Sequence, residues 1–199
     1  MATYTAINGA LRLYDGTATP FYLAVLFDQM DLTLPEGKAR PEESPIMHRG
    51  RAVTATVHHI LGNDEPIMEP QDVSFSFRMQ NNATEEEKLR TALCNPALES
   101  PWTVGSDTWT TTKGDSSLVN GNGDTFVDPA FADPMKVCIN LEVLWTRDAV
   151  AIGRKAVGLY TSPDQINIAE AEDGVIVSVT GKLYGGVTSI TAFTTGTES

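Results

Sequence analysis

The sequence predicts a mainly β protein: an antiparallel β-sandwich or partial barrel with one flanking α-helix and long loop insertions. The first observation behind this prediction is a set of segments that alternate apolar and small polar side chains, a pattern typical of half-buried strands. The second is that turn-forming Gly, Pro, Asn and Asp separate these segments, and the third is that one segment alone has clear helical spacing. The clearest alternating segments are 53–57, 73–79, 137–145 and 175–183.

The length and composition indicate one domain. The chain has 199 residues, of which 41% are hydrophobic, and a chain of this length buries roughly 70% of its unfolded surface without a metal or disulfide. We expect a single domain over 1–199, with a loop arm at 35–50 and an insertion at 95–134. No run of about 18 apolar residues offers a membrane span, and the first residues lack the pattern of a secretory signal, which predicts folding in a cytoplasm.

Net charge is the strongest compositional bias. The 26 acidic and 14 basic side chains leave a formal charge of −12. Tight nucleic-acid binding depends on Lys and Arg that displace counterions from phosphates, and no basic run or basic patch with interleaved aromatics occurs, so we expect no DNA-binding surface. An acidic surface can instead serve as a wall past which DNA slides, while the plainer interpretation is that the charge keeps the protein soluble.

The N-terminal half is predicted to supply four strands. Strands at 10–14 and 21–27 flank a turn that begins with Asp15 and Gly16, and residues 30–34 extend or follow the second strand. Strands at 51–61 and 72–79 are both expected to be central in the sheet. The apolar side chains of the last strand, which all face one way, are Val73, Phe75, Phe77 and Met79.

A long Pro-rich segment separates the first two strands from the next two. Three prolines, two glycines and mixed charge at 35–50 predict a loop and not a regular strand or helix. Loops of this length are uncommon in compact domains and tend to be functional or disordered, so we interpret the segment as an arm that orders on a neighbouring subunit, with a surface loop without a partner as the alternative. The arm residues singled out are Pro35, Lys38, Arg40, Pro41, Pro45, Ile46, His48 and Arg49.

One helix is predicted from Thr84 to about Leu93. Thr84 as N-cap and Glu87 three residues later form a capping box, and glutamates at the start suit the positive end of the helix dipole. Leu89, Ala92 and Leu93 are expected to dock on the sheet, and Asn95-Pro96 ends the helix.

The segment at 95–134 is rich in Thr, Ser, Gly, Asn, Asp and Pro, with isolated aromatic residues, and is predicted to be an insertion or an extended hairpin. Within it Asn120, Asn122 and Asp124 occupy alternate positions, as ligands do in a calcium loop. The match is poor because the sixth position is Thr125 instead of Gly and the twelfth is Phe131 instead of Glu. A plain Asn-Gly turn is the preferred interpretation, and no metal or other cofactor is expected.

The C-terminal part is the richest in strands, and turn signals join them into an antiparallel sheet with one solvated face. Strands are predicted at 137–146, 154–160, 165–169, 175–184 and 188–194. The polar positions of the alternating strands form a candidate wet face: Thr54, Thr56, Ser74, Ser76, Asn140, Glu142, Ser178 and Thr180. Arg78 and Lys182 also fall there, although cations fit poorly on a surface that repels phosphate.

The sequence contains no convincing catalytic constellation, so we expect no enzyme. His58 and His59 are adjacent on a predicted strand and point to opposite faces, so they cannot share one metal. Glu170, Glu172 and Asp173 cluster near a turn, which is better explained by solvation than by a glycosidase pair. Cys94 and Cys138 are expected to be reduced and structural.

The layout of the chain resembles the major tail tube protein of long-tailed, siphovirus-like bacteriophages. The resemblance rests on the short strands, the long Pro-rich loop after the first strand pair, the helix between two strand groups, and the closing run from Ser162-Pro163-Asp164-Gln165 through Glu170-Ala171-Glu172-Asp173-Gly174-Val175. It covers most of the chain and involves general character, not a diagnostic motif. The insertion at 95–134 has no place in the minimal family layout.

The resemblance implies a structural virion protein without catalytic activity or cofactor. Such proteins form hexameric rings that stack into a tube, through which DNA passes without specific binding, and no membrane is involved. The loop after the second strand reaches the adjacent ring, a role that would fall here on 35–50, and the inner strands line the lumen, for which the eight wet-face residues are the candidates. The implied partners are further copies of the chain, the tape measure, the tail terminator and baseplate components, in a virion tail assembled in the host cytoplasm.

Two other classes of function stay open. Another phage structural protein, either a tail terminator or a capsid decoration protein, shares the β-rich, acidic character but caps or coats instead of polymerising. A carbohydrate-binding β-sandwich could use Trp102 and Trp109 as stacking platforms, whereas Trp145 lies on the apolar side of its strand and is expected in the core.

Overall fold

The structure is a computed structural model that describes eleven stretches of the chain. These are residues 9–25, 32–35, 43–48, 51–56, 71–79, 83–94, 101–110, 138–161, 163–172, 174–183 and 186–199. The calcium-loop candidate at 120–128 and the His58-His59 pair lie outside the described residues.

Within the described residues the chain forms thirteen β-strands and one α-helix. In chain order they are β1 (Gly9–Tyr14), β2 (Phe21–Val25), β3 (Glu43–His48), β4 (Arg51–Thr56), β5 (Gln71–Arg78), α1 (Ala83–Leu93), β6 (Trp102–Val104), β7 (Asp107–Trp109), β8 (Ile139–Arg147), β9 (Val150–Tyr160), β10 (Ile166–Ala171), β11 (Gly174–Leu183), β12 (Val187–Ile190) and β13 (Thr197–Glu198). The predicted fold class, mainly β with one helix, is confirmed.

Nine strands form one large sheet, whose main path runs β10-β11-β9-β8-β1-β2-β13. β5 pairs with the second edge of β11, and β12 shares an edge of β9. All of these pairs are antiparallel, as predicted, except β13 with β2, which is parallel. Across the described strands the sheet is not closed into a barrel, which fits a sandwich or partial barrel.

The core lies between the sheet and the helix. Val73, Phe75 and Phe77 on β5 are buried as predicted, whereas Met79 beyond the strand is 38% exposed. On α1 the side chains that pack on the sheet are the predicted Leu89, Ala92 and Leu93. These side chains belong to one continuous cluster that also includes buried residues of β1, β2, β6, β7, β8 and β9, and each large side chain buried in it contributes roughly 1.5–3 kcal/mol.

The backbones of β9 and β11 approach each other closely at Gly181, where β11 stops pairing with β10 and begins to pair with β9. One edge of β11 pairs with β10 up to Val179 and with β9 from Lys182. Gly181 lies between these two contacts, and a Cβ added there would be 2.7 Å from the Tyr160 carbonyl oxygen. Only a residue without a side chain allows the two backbones to approach this closely.

Three sequence predictions need correction here. Part of the arm that was expected to be irregular, Glu43–His48, is a strand in an antiparallel hairpin with Arg51–Thr56. Pairing between the two segments outweighs the low strand propensity of proline, which is tolerated in a two-stranded ladder that has outer edges. β4 pairs with β3 alone among the described strands, so it is not central. The helix begins at Ala83, which places Thr84 inside the first turn and not at the N-cap.

Replacement of Gly181 by alanine is expected to destabilise the fold by about 1–3 kcal/mol, because the added methyl group would be too close to the Tyr160 carbonyl oxygen. Urea unfolding followed by circular dichroism measures this change. Ser178→Ala, at an exposed position of the same strand, is the control and is expected to change the free energy of unfolding by no more than about 0.5 kcal/mol. Equal stability of the two variants would contradict the close approach of the β9 and β11 backbones at Gly181.

Candidate functional site

Four of the predicted wet-face residues meet on the outer face of β5 and β11, the side turned away from the core. The register pairs Ser74 with Thr180 and Ser76 with Ser178. Ser178 and Thr180 are exposed and Ser74 is half-buried, whereas Ser76 is buried, so the expectation of an exposed Ser76 is wrong. The result is a small patch of neutral hydroxyl groups on two adjacent strands.

Lys182, at the end of this patch, forms an ion pair with Asp72 on the adjacent strand. Lys182 Nζ lies 2.5 Å from Asp72 Oδ1, and the two residues are opposite each other in the β5–β11 register. Both side chains are in contact with solvent, so the pair contributes little to stability. Its effect is local, because Lys182 presents no uncompensated positive charge to an approaching phosphate group.

The two remaining described candidates, Asn140 and Glu142, are inside the protein. They lie on β8, where five consecutive residues, 139–143, are buried, and Glu142 has no exposed surface. The expectation that they face solvent is wrong. Residues 191–199, which we name the closing segment, cover Glu142 through Thr194, while the Asn140 amide donates to the Asp15 carbonyl and accepts from the Gly158 N–H. Period-two alternation therefore distinguishes two faces of β8 but does not reveal that both are covered.

The Glu142 carboxylate is the centre of a buried polar cluster. Its Oε1 lies 3.1 Å from Lys155 Nζ on the adjacent strand and accepts a hydrogen bond of 2.5 Å from the Thr194 hydroxyl, while Oε2 accepts one of 2.8 Å from the Thr194 N–H. Lys155 Nζ also donates to Thr194 Oγ1 at 3.1 Å. A fully buried carboxylate is tolerated when ion pairing and hydrogen bonds compensate its lost hydration in this way.

Aromatic groups extend this attachment of the closing segment. The Tyr14 hydroxyl donates to the Thr194 carbonyl at 3.0 Å, and burial raises the pKa of Tyr14 to about 12. The Arg12 guanidinium lies 4.2 Å from the ring centre of Tyr22 and 4.4 Å from that of Phe193. None of these partners was identified from the sequence; the one available signal was an acidic residue within the apolar run of β8.

A second buried carboxylate, Asp15, organises the turn between β1 and β2. Its oxygens accept hydrogen bonds from the Thr17 hydroxyl at 2.9 Å, the Phe21 N–H at 3.2 Å and the Thr110 N–H at 3.3 Å. Burial raises the pKa of Asp15 and outweighs these hydrogen bonds, which lower it. The sequence identified the Asp-Gly turn, but not that its carboxylate joins the β6–β7 hairpin to the sheet.

The tryptophans of that hairpin are not available to a ligand. Trp102 and Trp109 pair across β6 and β7 with ring centres 6.1 Å apart, and both are buried. Trp109 Nε1 donates to Ser199 Oγ at 3.0 Å. The interpretation of these two residues as sugar-stacking platforms is wrong, because their faces pack in the core. Trp145, expected in the core, is half-buried.

An apolar groove of about 420 Å³ opens between the helix and the β10–β11 hairpin. We name it the helix groove. Its apolar wall includes Phe77, Met79, Leu89, Ile168 and Val177, and Glu86, Glu87 and Arg90 of α1 also line it. Ile168 is 60% exposed, which is high for a large aliphatic side chain. The sequence did not predict this groove, since its residues come from four separate elements.

The described arm residues lie in two different parts of the structure. Pro35 is half-buried and follows Thr33, which exchanges two backbone hydrogen bonds with Ser74 on β5. Pro45, Ile46 and His48 belong to β3, and the candidates Thr54 and Thr56 belong to β4, where the register pairs them with Pro45 and Glu43. Lys38, Arg40, Pro41 and Arg49 lie outside the described residues. The roles in ring stacking and lumen lining stay predictions.

The described residues contain no group of three or more His, Cys, Asp or Glu side chains placed to bind a metal ion. Cys94 and Cys138 form no disulfide, as predicted, and burial raises the pKa of the Cys138 thiol to about 12. Glu170 and Glu172 are exposed at the β10–β11 turn. No helix in the described part of the chain is long and apolar enough to span a membrane.

Removal of the Glu142 side chain is expected to cost about 3 kcal/mol, because Glu142→Ala leaves the Lys155 ammonium group and the Thr194 N–H without their buried acceptor. Chemical unfolding gives the total loss, and hydrogen exchange shows earlier opening at 191–199. Glu170→Ala, at an exposed position, is the control and should stay within about 0.5 kcal/mol of the unchanged protein. Equal losses in the two variants would exclude a special role for Glu142.

The buried Asp15 carboxylate is expected to make the folding stability depend on pH. Its raised pKa means that the folded state binds the proton more tightly than the unfolded chain, so this stabilisation is present below the unfolded pKa and is lost as the pH rises through the folded pKa. Asp15→Asn removes this titration. The stability of the unchanged protein relative to the variant is therefore expected to fall as the pH rises above about 4, the ordinary pKa of an aspartate side chain, which urea unfolding at a series of pH values measures. A difference that does not vary with pH would contradict this assignment.

Comparisons with known proteins found a likeness among solved structures. No protein-family model matches the chain, and no curated protein matches it. Among solved structures, the chain is similar to one from the cryo-EM structure of the anti-feeding prophage (AFP) baseplate, 6-fold symmetrised, with a TM-score of 0.43 and 7% sequence identity. That match covers 96% of this chain and 95% of the other.

Proposed function

We propose that this chain is a non-catalytic structural subunit of a phage tail tube, which forms hexameric rings that stack into a conduit for DNA. The observation that carries the proposal is the open sheet. Among the described strands, β10 pairs with β11 alone and β13 with β2 alone, so the two ends of the sheet do not meet. Sheet edges with unpaired backbone groups favour association between chains unless they are covered.

The β10 end of the sheet is accessible. Residues 167–170 are four consecutive exposed positions, which means that both faces of the strand are in solvent. Strand pairing between neighbouring copies would satisfy the backbone groups at such an edge. Identical contacts repeated around an axis would then give a cyclic assembly, since head-to-tail contacts close into rings when the rotation allows it.

The outer face of β5 and β11 supplies a surface suited to a conduit. It presents Ser178 and Thr180 with the half-buried Ser74 beside them, and Asp72 compensates Lys182 at its end. Hydroxyl groups without a cluster of cations give phosphates little to bind. Each chain carries a formal charge of −12, so a ring of six would carry six times that charge, screened over roughly 8 Å at physiological salt.

The β3–β4 hairpin supports a stacking role for the arm. It forms a two-stranded sheet of its own, separate from the large sheet. An isolated two-stranded hairpin is marginally stable in water and gains stability by packing on another surface. A neighbouring ring would provide that surface, with the tape measure, tail terminator and baseplate components at other positions in the same virion tail.

A second candidate is another virion component, either a tail terminator or a capsid decoration protein. The same open sheet supports it, because a capping or coating protein also covers sheet edges by contact with other chains. The two candidates differ in assembly: a tube subunit polymerises end to end, whereas a cap or a coat stops at discrete rings or trimers.

Electron microscopy of the purified chain tests the proposal. We expect open-ended tubes built from stacked rings. Replacement of residues 38–56 by a Gly-Ser linker is expected to leave a folded protein that forms rings but no tubes, because the hairpin is not part of the large sheet. Discrete rings or trimers of the unchanged chain would favour a terminator or decoration protein, and tubes of normal length from the linker variant would contradict the stacking role of the arm.

A further inference from the structure

Strand β10 is an edge strand that lacks the usual protection against pairing with another chain. It is six residues long, contains no proline, lysine or glycine, and has Glu170 as its one charged residue. Residues 167–170 are all exposed, and Ile168 has 60% of its surface in solvent. Sheets of soluble proteins normally block such an edge with proline, a bulge or a lysine. The β10 edge is therefore open to a further strand.

The backbone groups on the open side of β10 belong to alternate residues. The Met79 N–H donates to the Val175 carbonyl, so odd-numbered residues of β11 direct their backbone groups to β5 and even-numbered residues direct theirs to β10. The register pairs the even-numbered residues of β11 with the odd-numbered residues of β10. The N–H and C=O groups that point away from the sheet are therefore those of Ile166, Ile168 and Glu170.

The β3–β4 hairpin has a free edge of the same kind. Among the described strands β4 pairs with β3 alone, and Pro45 is opposite Thr54. Because proline has no N–H, a ladder accommodates it where its nitrogen points away from the partner strand. Thr54, in the same pair, then directs its backbone groups to the open edge of β4, as do Ala52 and Thr56. The open edge of β3 lacks a donor at Pro45, so the complete edge is that of β4.

Antiparallel pairing matches the β4 and β10 edges along their full length. Each edge offers three residues at the same spacing, so a single register satisfies every outward N–H and C=O of both strands. The hairpin, which is marginally stable as two strands, then becomes part of a large sheet. The paired residues are Ala52 with Glu170, Thr54 with Ile168, and Thr56 with Ile166.

Charge favours this orientation and this partner. Residues 170–173 include three acidic and no basic side chains, and Glu170 and Glu172 are exposed. The hairpin has arginines at 49 and 51, where β3 passes into β4, and has Glu43 at its other end. Antiparallel pairing brings the arginine end beside the acidic residues, whereas parallel pairing would bring Glu43 there. A second copy of β10 would instead bring acidic residues to acidic residues.

We propose that β4 of one copy adds to the β10 edge of a second copy, so that the β3–β4 hairpin of a subunit in one ring extends the large sheet of a subunit in the next ring. The inference rests on the proposed function, in which the arm docks on a neighbouring ring, and it names the docking surface. The contact is head-to-tail because it joins two different surfaces. Since an edge pairs with one strand, this contact assigns β10 to stacking and not to pairing within a ring.

Proline substitutions at the two edges test this contact. Ile168→Pro and Thr54→Pro each remove one outward N–H and leave the inward ladder of their strand intact, so each is expected to weaken stacking at least about tenfold. Ile168→Val and Thr54→Val keep the N–H and are the matched controls, which should form tubes as the unchanged protein does. Electron microscopy measures stacking, and circular dichroism confirms folding. Tubes of normal length from both proline variants would overturn the contact.

Mixing the two proline variants is the decisive measurement. I168P keeps a working hairpin and T54P keeps a working β10 edge, so an equimolar mixture is expected to form two-layer particles, while neither variant alone passes beyond single rings. Stacking of T54P alone would show that β10 pairs with a strand other than β4 and would overturn the inference. A mixture that stays as single rings would overturn it as well.

Charge reversal tests the same contact without proline. Arg51→Glu and Glu170→Lys are each expected to weaken stacking about tenfold, because each places like charges beside one another. The combined variant R51E/E170K restores opposite charges at the contact and is expected to recover most of the stacking. Normal stacking of both single variants, or no recovery in the combined variant, would contradict the orientation in which the arginine end lies beside Glu170.

The outcomes separate this inference from the proposed function. Loss of rings in I168P would assign β10 to the contact within a ring, which would overturn the inference and leave the tube proposal standing. Pairing in the mixture of I168P and T54P, together with open filaments without rings from the unchanged chain, would support the contact and overturn the tube. A chain that stays monomeric at high concentration would overturn both.

Discussion

The buried Glu142 carboxylate is the interaction on which the arrangement of the sheet depends. Strand β8 runs through the middle of the large sheet, and a charged group at its centre is stable only if partners replace water on that face. Lys155 supplies the opposite charge from the next strand and Thr194 supplies two donors from the closing segment. The closing segment is thereby fixed over the outer face, and residues 139–143 of a strand that alternation would leave half-exposed are buried on both faces.

The same segment joins elements that are far apart in the chain. Beyond Thr194, β13 adds to the edge of β2 in parallel, and Ser199 accepts hydrogen bonds from Trp109 Nε1 and from Lys88 Nζ of the helix. One stretch of nine residues thus contacts the sheet, the tryptophan hairpin and α1. Among the described residues, the large apolar side chains that stay exposed are Met79 after β5, Val150 and Ile152 at the end of the β8–β9 hairpin, and Ile168 on β10.

The comparison of sequence and structure shows which patterns are informative. Alternation on β5 correctly separated Phe75 and Phe77 from Ser74 because one face of that strand packs on the core. The same rule failed for Ser76, Asn140 and Glu142, since alternation reports the two faces of a strand and not what covers each of them. The β3 strand was not predicted from the proline-rich arm, because pairing with β4, and not local propensity, determines that hairpin. Tryptophans in a polar insertion suggested a ligand surface, whereas cross-strand pairing placed them in the core.

The sequence by itself determined the local features of this protein: its β class, the position of helix α1 and its docking residues, the turn at Asp15 and the acidic balance. These follow from side-chain periodicity, turn chemistry and charge, which act over a few residues. Only the tertiary structure decided that Glu142 meets Lys155 and Thr194, that the sheet stays open at β10, and that four elements form the helix groove. Those features depend on contacts between residues far apart in the chain, and such contacts are selected by the packing of whole strands and not by any local pattern.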